Sequence, residues 1–191
     1  DKQLNDYLEK QNKAGLKETE KAIKEVDRLF SEIERMNAKP TNVNGLSNEE
    51  KIKILTKQMK QVLTEYVLKD KDLNQFKDVK VKGIKIRFQK VYEYPPSLLR
   101  NLIDQGKKDI ASGLIVSYAI EQNEDGTINK IGVAVGVTKD LTKKLNAIDL
   151  VKEASVITGG KGGGGRPDFA QAGAADENKI DDAFEKIKSL I

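Results

Sequence analysis

The sequence predicts an α+β protein in two parts: an antiparallel coiled-coil helical hairpin over residues 1–75, then a small α/β domain with a mixed, largely antiparallel sheet over residues 76–191. Three features of the sequence point to it. Apolar residues recur at steps of three and four as far as Tyr66, the spacing of one helix face. Beyond Val79 the period falls to two, and continuous apolar runs bounded by turn residues follow. A glycine run, Gly159 to Gly165 broken only by Lys161, then precedes a last amphipathic stretch.

Leu16, Thr19, Ile23, Val26, Phe30 and Ile33 form the first seam, with Ala22, Leu29 and Met36 beside it. A helix from Asp1 to Asn37 would be about 55 Å long, and it is expected to fray where Gln11, Asn12 and Gly15 interrupt the pattern. Pro40, Asn42, Asn44 and Gly45 end it. Ser47-Asn48-Glu49-Glu50 is a capping box, and Ile52, Leu55, Met59, Val62 and Tyr66 repeat the seam. Two such helices joined by a short connection fold back on each other. One seam leaves Leu29, Ile54, Leu63 and Val67 over, which predicts a further partner: the globular domain or a second copy.

Val79-Lys80-Val81-Lys82 and Ile84-Lys85-Ile86-Arg87-Phe88 alternate on either side of Gly83, as one bulged strand or two short ones. Pro95-Pro96 opens a helix with Leu98, Leu99, Leu102, Ile103 and Ile110 inward. Gly113 to Ile120 reads as a buried strand, Glu124-Asp125-Gly126 turns it, and Lys130 to Val137 returns as its hairpin partner. Asn146 to Ile157 is a helix, and Ile180, Ala183, Phe184, Ile187 and Leu190 mark the last one.

The chain has no Cys and no His. Disulfides, thiolate nucleophiles, imidazole bases and the usual zinc ligands are therefore excluded, and neither catalytic nor metal-ligating residues are assigned. Glu49/Glu50 and Asp181/Asp182 are neighbours that point different ways on a helix, so they make no acid–base pair. No apolar run approaches the ~20 residues of a membrane span, so no membrane partner is expected. The chain opens in helical periodicity without Met or an apolar leader; it reads as a piece of a longer cytoplasmic protein. Net charge is +4, and residues 76–158 hold the excess, with 14 basic side chains against 10 acidic. Most of it lies between Lys77 and Lys90. Lys80, Lys82, Lys85 and Arg87 could track a phosphate backbone or form an ordinary solvated strand face.

The glycine run continues as Arg166-Pro167-Asp168-Phe169-Ala170-Gln171-Ala172-Gly173. Glycines let consecutive amides turn toward one point and let another backbone come close. Pro167 at the first turn of a short helix would aim further amides the same way. Lys161 and Arg166 add donors suited to phosphate, which makes the loop an anion cradle. Gly160-x-Gly162-x-x-Gly165 fits a dinucleotide fingerprint by letter, but a helix rather than a strand precedes it. A P-loop needs Gly-Lys-Ser/Thr where this chain has Gly165-Arg166-Pro167. A flexible linker or tight turn is the plain alternative, and it has no use for the residues that follow. The candidate nucleic-acid-binding set is Gly160, Lys161, Gly162, Gly163, Gly164, Gly165 and Arg166, with Asp168 and Gln171, and the strand cations Lys80, Lys82, Lys85 and Arg87.

This glycine run with its Arg-Pro-Asp-x-Ala-Gln sequel resembles the signature of the C-terminal (C-Ala) domain of alanyl-tRNA synthetases. Val133 to Leu141, ending Thr138-Lys139-Asp140-Leu141, and Asn146-Ala147-x-x-Leu150-Val151 resemble the strand and helix that precede it there. The domain is related to the accessory domain of DHH-type phosphoesterases, where a His follows the glycines; here Arg166 stands in that place. Many synthetases also have His-Ala-Gly where this chain has Asn146-Ala147-Ile148, and Gly in place of Ala174. The resemblance implies a non-catalytic module that binds tRNA-Ala and helps present it to the aminoacylation and editing sites, with a possible role in homodimerisation. It implies no cofactor in this piece, a parent ligase using ATP and zinc, and the parent's catalytic and editing domains as partners. The alternatives are the accessory nucleic-acid-binding domain of an oligonucleotide phosphoesterase and the tail of a free-standing editing protein.

Overall fold

Helix α1 (Lys2–Arg35) and helix α2 (Asn48–Lys69) open the computed structural model, which describes residues 2–191; the expected start at Asp1 lies outside them. The chain divides into two compact units between Tyr66 and Val67. In the first, α1 runs unbroken through Gln11, Asn12 and Gly15, where fraying was expected. The Leu, Glu, Lys and Gln residues of those turns favour the helix enough to carry one glycine. The helix ends at Arg35, just short of the expected Asn37 and ahead of the connection that holds Pro40. Asn37 adopts a left-handed φ of 60°, and the Ala38 amide reaches back to the Ile33 carbonyl at 3.2 Å. The capping box forms as predicted. Ser47 Oγ accepts from the Glu50 amide at 3.2 Å, and Glu50 Oε2 accepts from the Ser47 amide at 2.9 Å.

The two helices share a core at the closed end of their connection: Val26, Leu29 and Ile33 from α1, Val43 from the connection, and Leu55 from α2. Gln58 of α2 braces the connection, accepting from the Thr41 amide and donating to the Lys39 carbonyl, both at 2.8 Å. The expected seam is shorter than the sequence suggested. Leu16 is 64% and Ile23 47% exposed, while Leu29, expected to be left over, is fully buried. Thirty-four residues in α1 against twenty-two in α2 make the first helix about 18 Å longer at ~1.5 Å per residue, so a shared seam cannot run along all of it.

The second unit is built on six strands. They are β1 (Asn74–Val81), β2 (Ile84–Tyr92), β3 (Leu114–Gln122), β4 (Ile128–Val137), β5 (Gly164–Arg166) and β6 (Phe169–Ala174). Their order across the sheet is β1-β2-β3-β4-β6-β5, and only β2 and β3 are parallel. Gly83 separates two strands rather than bulging one, because Lys82 and Gly83 both take positive φ and reverse the chain in two residues. Helix α3 (Leu99–Ile110), entered by a single 3-10 turn at Pro96–Leu98, packs on β3 and β4. Helix α4 (Ala147–Ile157) is capped by Asn146, whose Oδ1 accepts from the Ile148 amide at 2.9 Å, and it packs with α5 (Ile180–Ser189).

Alternation assigns the two faces of the sheet. Val116, Tyr118, Ile131, Val133 and Val135 meet α4 and α5 in the main core, where Phe88 stacks on Phe184 with ring centroids 4.7 Å apart. The α3 face is floored by small residues. Gly132 and Gly136 lie so close under Pro96 and Ile103 that a Cβ would come within 2.6 and 2.3 Å of them. Among the described residues no helix is long and apolar enough to cross a membrane.

Candidate nucleic-acid interface

The glycine run leaves α4 at its C-terminal end. Gly159 turns left-handed at φ 76°, and the Gly160 amide donates to the Ser155 carbonyl at 2.8 Å, closing the helix. Gly160 is pressed against β6. A Cβ there would sit 2.0 Å from the Gly173 carbonyl, which itself accepts from Ser155 Oγ at 2.6 Å. Gly162, Gly163 and Gly165 take φ of 78°, 149° and 150°, a range closed to most side chains. Gly165 also abuts the Phe169 carbonyl, 2.3 Å from where a Cβ would stand.

Pro167 does not begin a helix, as the sequence suggested. Gly164 to Arg166 pair with Phe169 to Gln171, so Pro167 and Asp168 are the turn of a β-hairpin. Proline's fixed φ suits the first central position of such a turn. The turn is tied down from three sides. The Pro167 carbonyl accepts from the Ala147 amide, and the Asp168 carbonyl accepts from the Val137 amide and from Lys107 Nζ, each at 2.9 Å. A rigid turn therefore carries an exposed loop. No protein acceptor among the described residues meets the amides of Lys161, Gly162 or Gly163. The Arg166 side chain is 63% exposed and is held loosely by Asp168, Nε to Oδ1 at 3.5 Å.

A family model described as the DHHA1 domain matches residues 83–191. The chain belongs to that family. Alanine–tRNA ligase of Parvibaculum lavamentivorans is 47% identical over 109 residues, which is 57% of this chain and 12% of that protein. The same enzyme of Hyphomonas neptunium is 48% identical over 93 residues, 49% of this chain and 10% of its own length. The chain thus spans about a tenth of the curated relatives it matches. Among solved structures, the C-Ala domain of Aquifex aeolicus alanyl-tRNA synthetase is similar at a TM-score of 0.50 and 29% identity, over 60% of this chain and 96% of that one.

Within the DHHA1 domain, α3 adds cations that sequence reasoning passed over. Arg100 lies over the Phe169 ring at 4.6 Å, and Lys107 reaches the hairpin turn. Burial, and the nearby charges of Arg100 and Arg166, pull Lys107 below the ordinary lysine range, against Asp168 and Asp104. The available signal was helical spacing. Arg100 and Lys107 are seven apart and share a helix side, but only the fold brings that side to the β5–β6 turn.

The cations of the β1–β2 hairpin behave differently, and Lys80 and Lys82 precede the DHHA1 match. Arg87 is not an open strand-face donor. Its Nε and Nη2 fork onto Asp78 at 2.8 and 3.0 Å, its Nη1 donates to Asp109 at 3.0 Å, and its side chain is 13% exposed over the Phe76 ring. Lys80 and Lys85 stand directly opposite each other, and Lys82 sits in the turn, away from the strand ladder. Gln171 is exposed on β6 opposite Gly164. The structure therefore gathers Gly160 to Arg166, Asp168 and Gln171 around one hairpin and leaves the four strand cations on another.

Proposed function

We propose that this chain is a non-catalytic tRNA-binding module of an alanine–tRNA ligase, holding tRNA-Ala so that one tRNA serves the aminoacylation and editing sites. The observation that carries it is the glycine hairpin, whose rigid turn carries a loop with three unengaged amides and an exposed guanidinium beside Lys107. Such donors suit phosphate oxygens and read backbone shape rather than base sequence. Relatives that are alanine–tRNA ligases support the choice of RNA. Chemistry, with its ATP and zinc, belongs in this reading to other domains of a cytoplasmic parent. The exposed Leu8, Leu16 and Ile23 of α1 support a second role in pairing with another copy, which sedimentation of the chain checks.

Fluorescence anisotropy with tRNA-Ala, an unrelated tRNA and duplex DNA tests the main reading. Tight binding to tRNA over duplex DNA is expected. Arg166→Ala should weaken it about 10- to 150-fold, the range of a lost charge-assisted hydrogen bond of ~1.5–3 kcal/mol. Equal affinity of the variant would move the site elsewhere.

A further inference from the structure

Beyond the glycine hairpin, the same face of the sheet holds an open groove of about 380 Å³ between the entry to α3 and strands β4 and β6. Its apolar wall is Pro96 and Leu99; its rim carries Ser97, Lys130 and Gln171. Gly132 and Gly173 face each other across the β4–β6 ladder and form the floor. Their roles differ. Gly132 is bare because Pro96 presses on it, whereas a Cβ at Gly173 would meet nothing within 4 Å. Above Gly173 the backbone is simply open, a flat peptide surface beside a proline ring.

The groove is continuous with the loop. Phe169, Gln171 and Gly173 alternate onto this face of β6, and Arg166 pairs with Phe169 at the other end. From Phe169 to Gly173 is about 14 Å at ~3.4 Å per residue. Arg166, Arg100 and Lys107 thus offer cations at one end of the path. A flat apolar slot with an amide and an ammonium at its rim lies at the other. That sequence of surfaces matches a short single strand: a phosphate at one end and, further along the same strand, a planar ring with a hydrogen-bonding edge. A volume near the lower end of small-ligand sites suits a single base rather than a helix of stacked pairs.

We propose that this groove binds one unstacked nucleobase of the RNA whose phosphate the glycine hairpin holds. This rests on the phosphate reading above and adds a base to it. The base lies over the open backbone at Gly173, against the Pro96 ring, with Gln171 and Lys130 along its edge. Stacking and edge hydrogen bonds are how proteins hold splayed-out RNA bases.

The test measures binding of the 191-residue chain to a single-stranded oligoribonucleotide and to the same strand with abasic sites. Wild type should prefer the base-bearing strand about tenfold, the order of a single stacked base. Gly173→Val narrows the slot from a position where a Cβ meets nothing within 4 Å and the φ is unstrained, so the fold and melting temperature should hold. The variant should bind both strands at the abasic level. Gln171→Leu should lose part of the preference, and Arg166→Ala should weaken both strands alike while keeping it. A wild type indifferent to bases, or a Gly173→Val chain that keeps its preference, would overturn the slot and leave the phosphate site standing. An Arg166→Ala chain that binds like wild type would instead overturn the phosphate reading.

Discussion

The six-stranded sheet ends in a hairpin on each side, and both hairpins carry arginine and glycine, yet the two are built for different work. In β1–β2, Arg87 is locked between Asp78 and Asp109 over Phe76, and its glycine completes a two-residue turn. In β5–β6, Arg166 stands in solvent with one loose carboxylate, and its glycines release amides or admit neighbouring backbone. An arginine with its donors engaged stabilises a fold. One with donors to spare can hold a ligand. Residue type does not separate these roles; the partners within reach do.

The largest effect should come from breaking the second hairpin's backbone. Gly165→Ala meets both a φ of 150° and the Phe169 carbonyl. A loss of about 3 kcal/mol or more, typical of forced backbone strain plus overpacking, is expected in thermal or urea unfolding. A variant that melts like wild type would mean the loop is soft rather than preorganised.

Exchanging the arginines sharpens the contrast. Arg166→Lys keeps the charge but loses the fork, so it should cost tRNA affinity about tenfold with a melting temperature like that of wild type. Arg87→Gln should do the reverse. Leaving Asp78 and Asp109 without their partner should cost about 1.5–3 kcal/mol of stability, with tRNA affinity and its salt slope little changed. The pH profile separates the two further. Hydrogen bonds from Arg87 hold the Asp78 carboxyl below its ordinary value, so that stabilisation is complete above the unfolded aspartate pKa. It fades as pH falls through the lower folded value. Arg87→Gln should remove this acid-side loss, and a profile unchanged by the substitution would mean the ion pair does not form in solution.

The smallest effect belongs to Lys80 and Lys85, like charges directly opposite on paired strands. Replacing Lys80 with Gln should raise stability by about 0.2–1 kcal/mol. If Lys80 also touches a phosphate, the slope of log affinity against log salt should fall by about 0.7–0.9. Parallel titrations of tRNA binding read both quantities on one variant.

By itself the sequence determined most of the elements, β5 and β6 excepted, and singled out the residues of the candidate hairpin. Helical period, the Ser47–Glu50 box, the helix from Asn146, the alternation around Gly83 and the glycine run are local signals, because backbone geometry repeats over a few residues. Only the tertiary structure decided which cations are free. Arg87 meets an aspartate twenty-two positions away, and Lys107 meets the Asp168 carbonyl sixty-one away; nothing in either local pattern encodes such a meeting. Pro167 became a strand turn rather than a helix start for the same reason: β6, itself placed by β4, captured the glycines as a sixth strand. The extent of the helical seam was likewise undecidable from periodicity, because α1 repeats its pattern well beyond the Val26–Ile33 stretch that shares a core with α2. Periodicity states which side chains can be buried together; the lengths and placement of the partners decide which ones are.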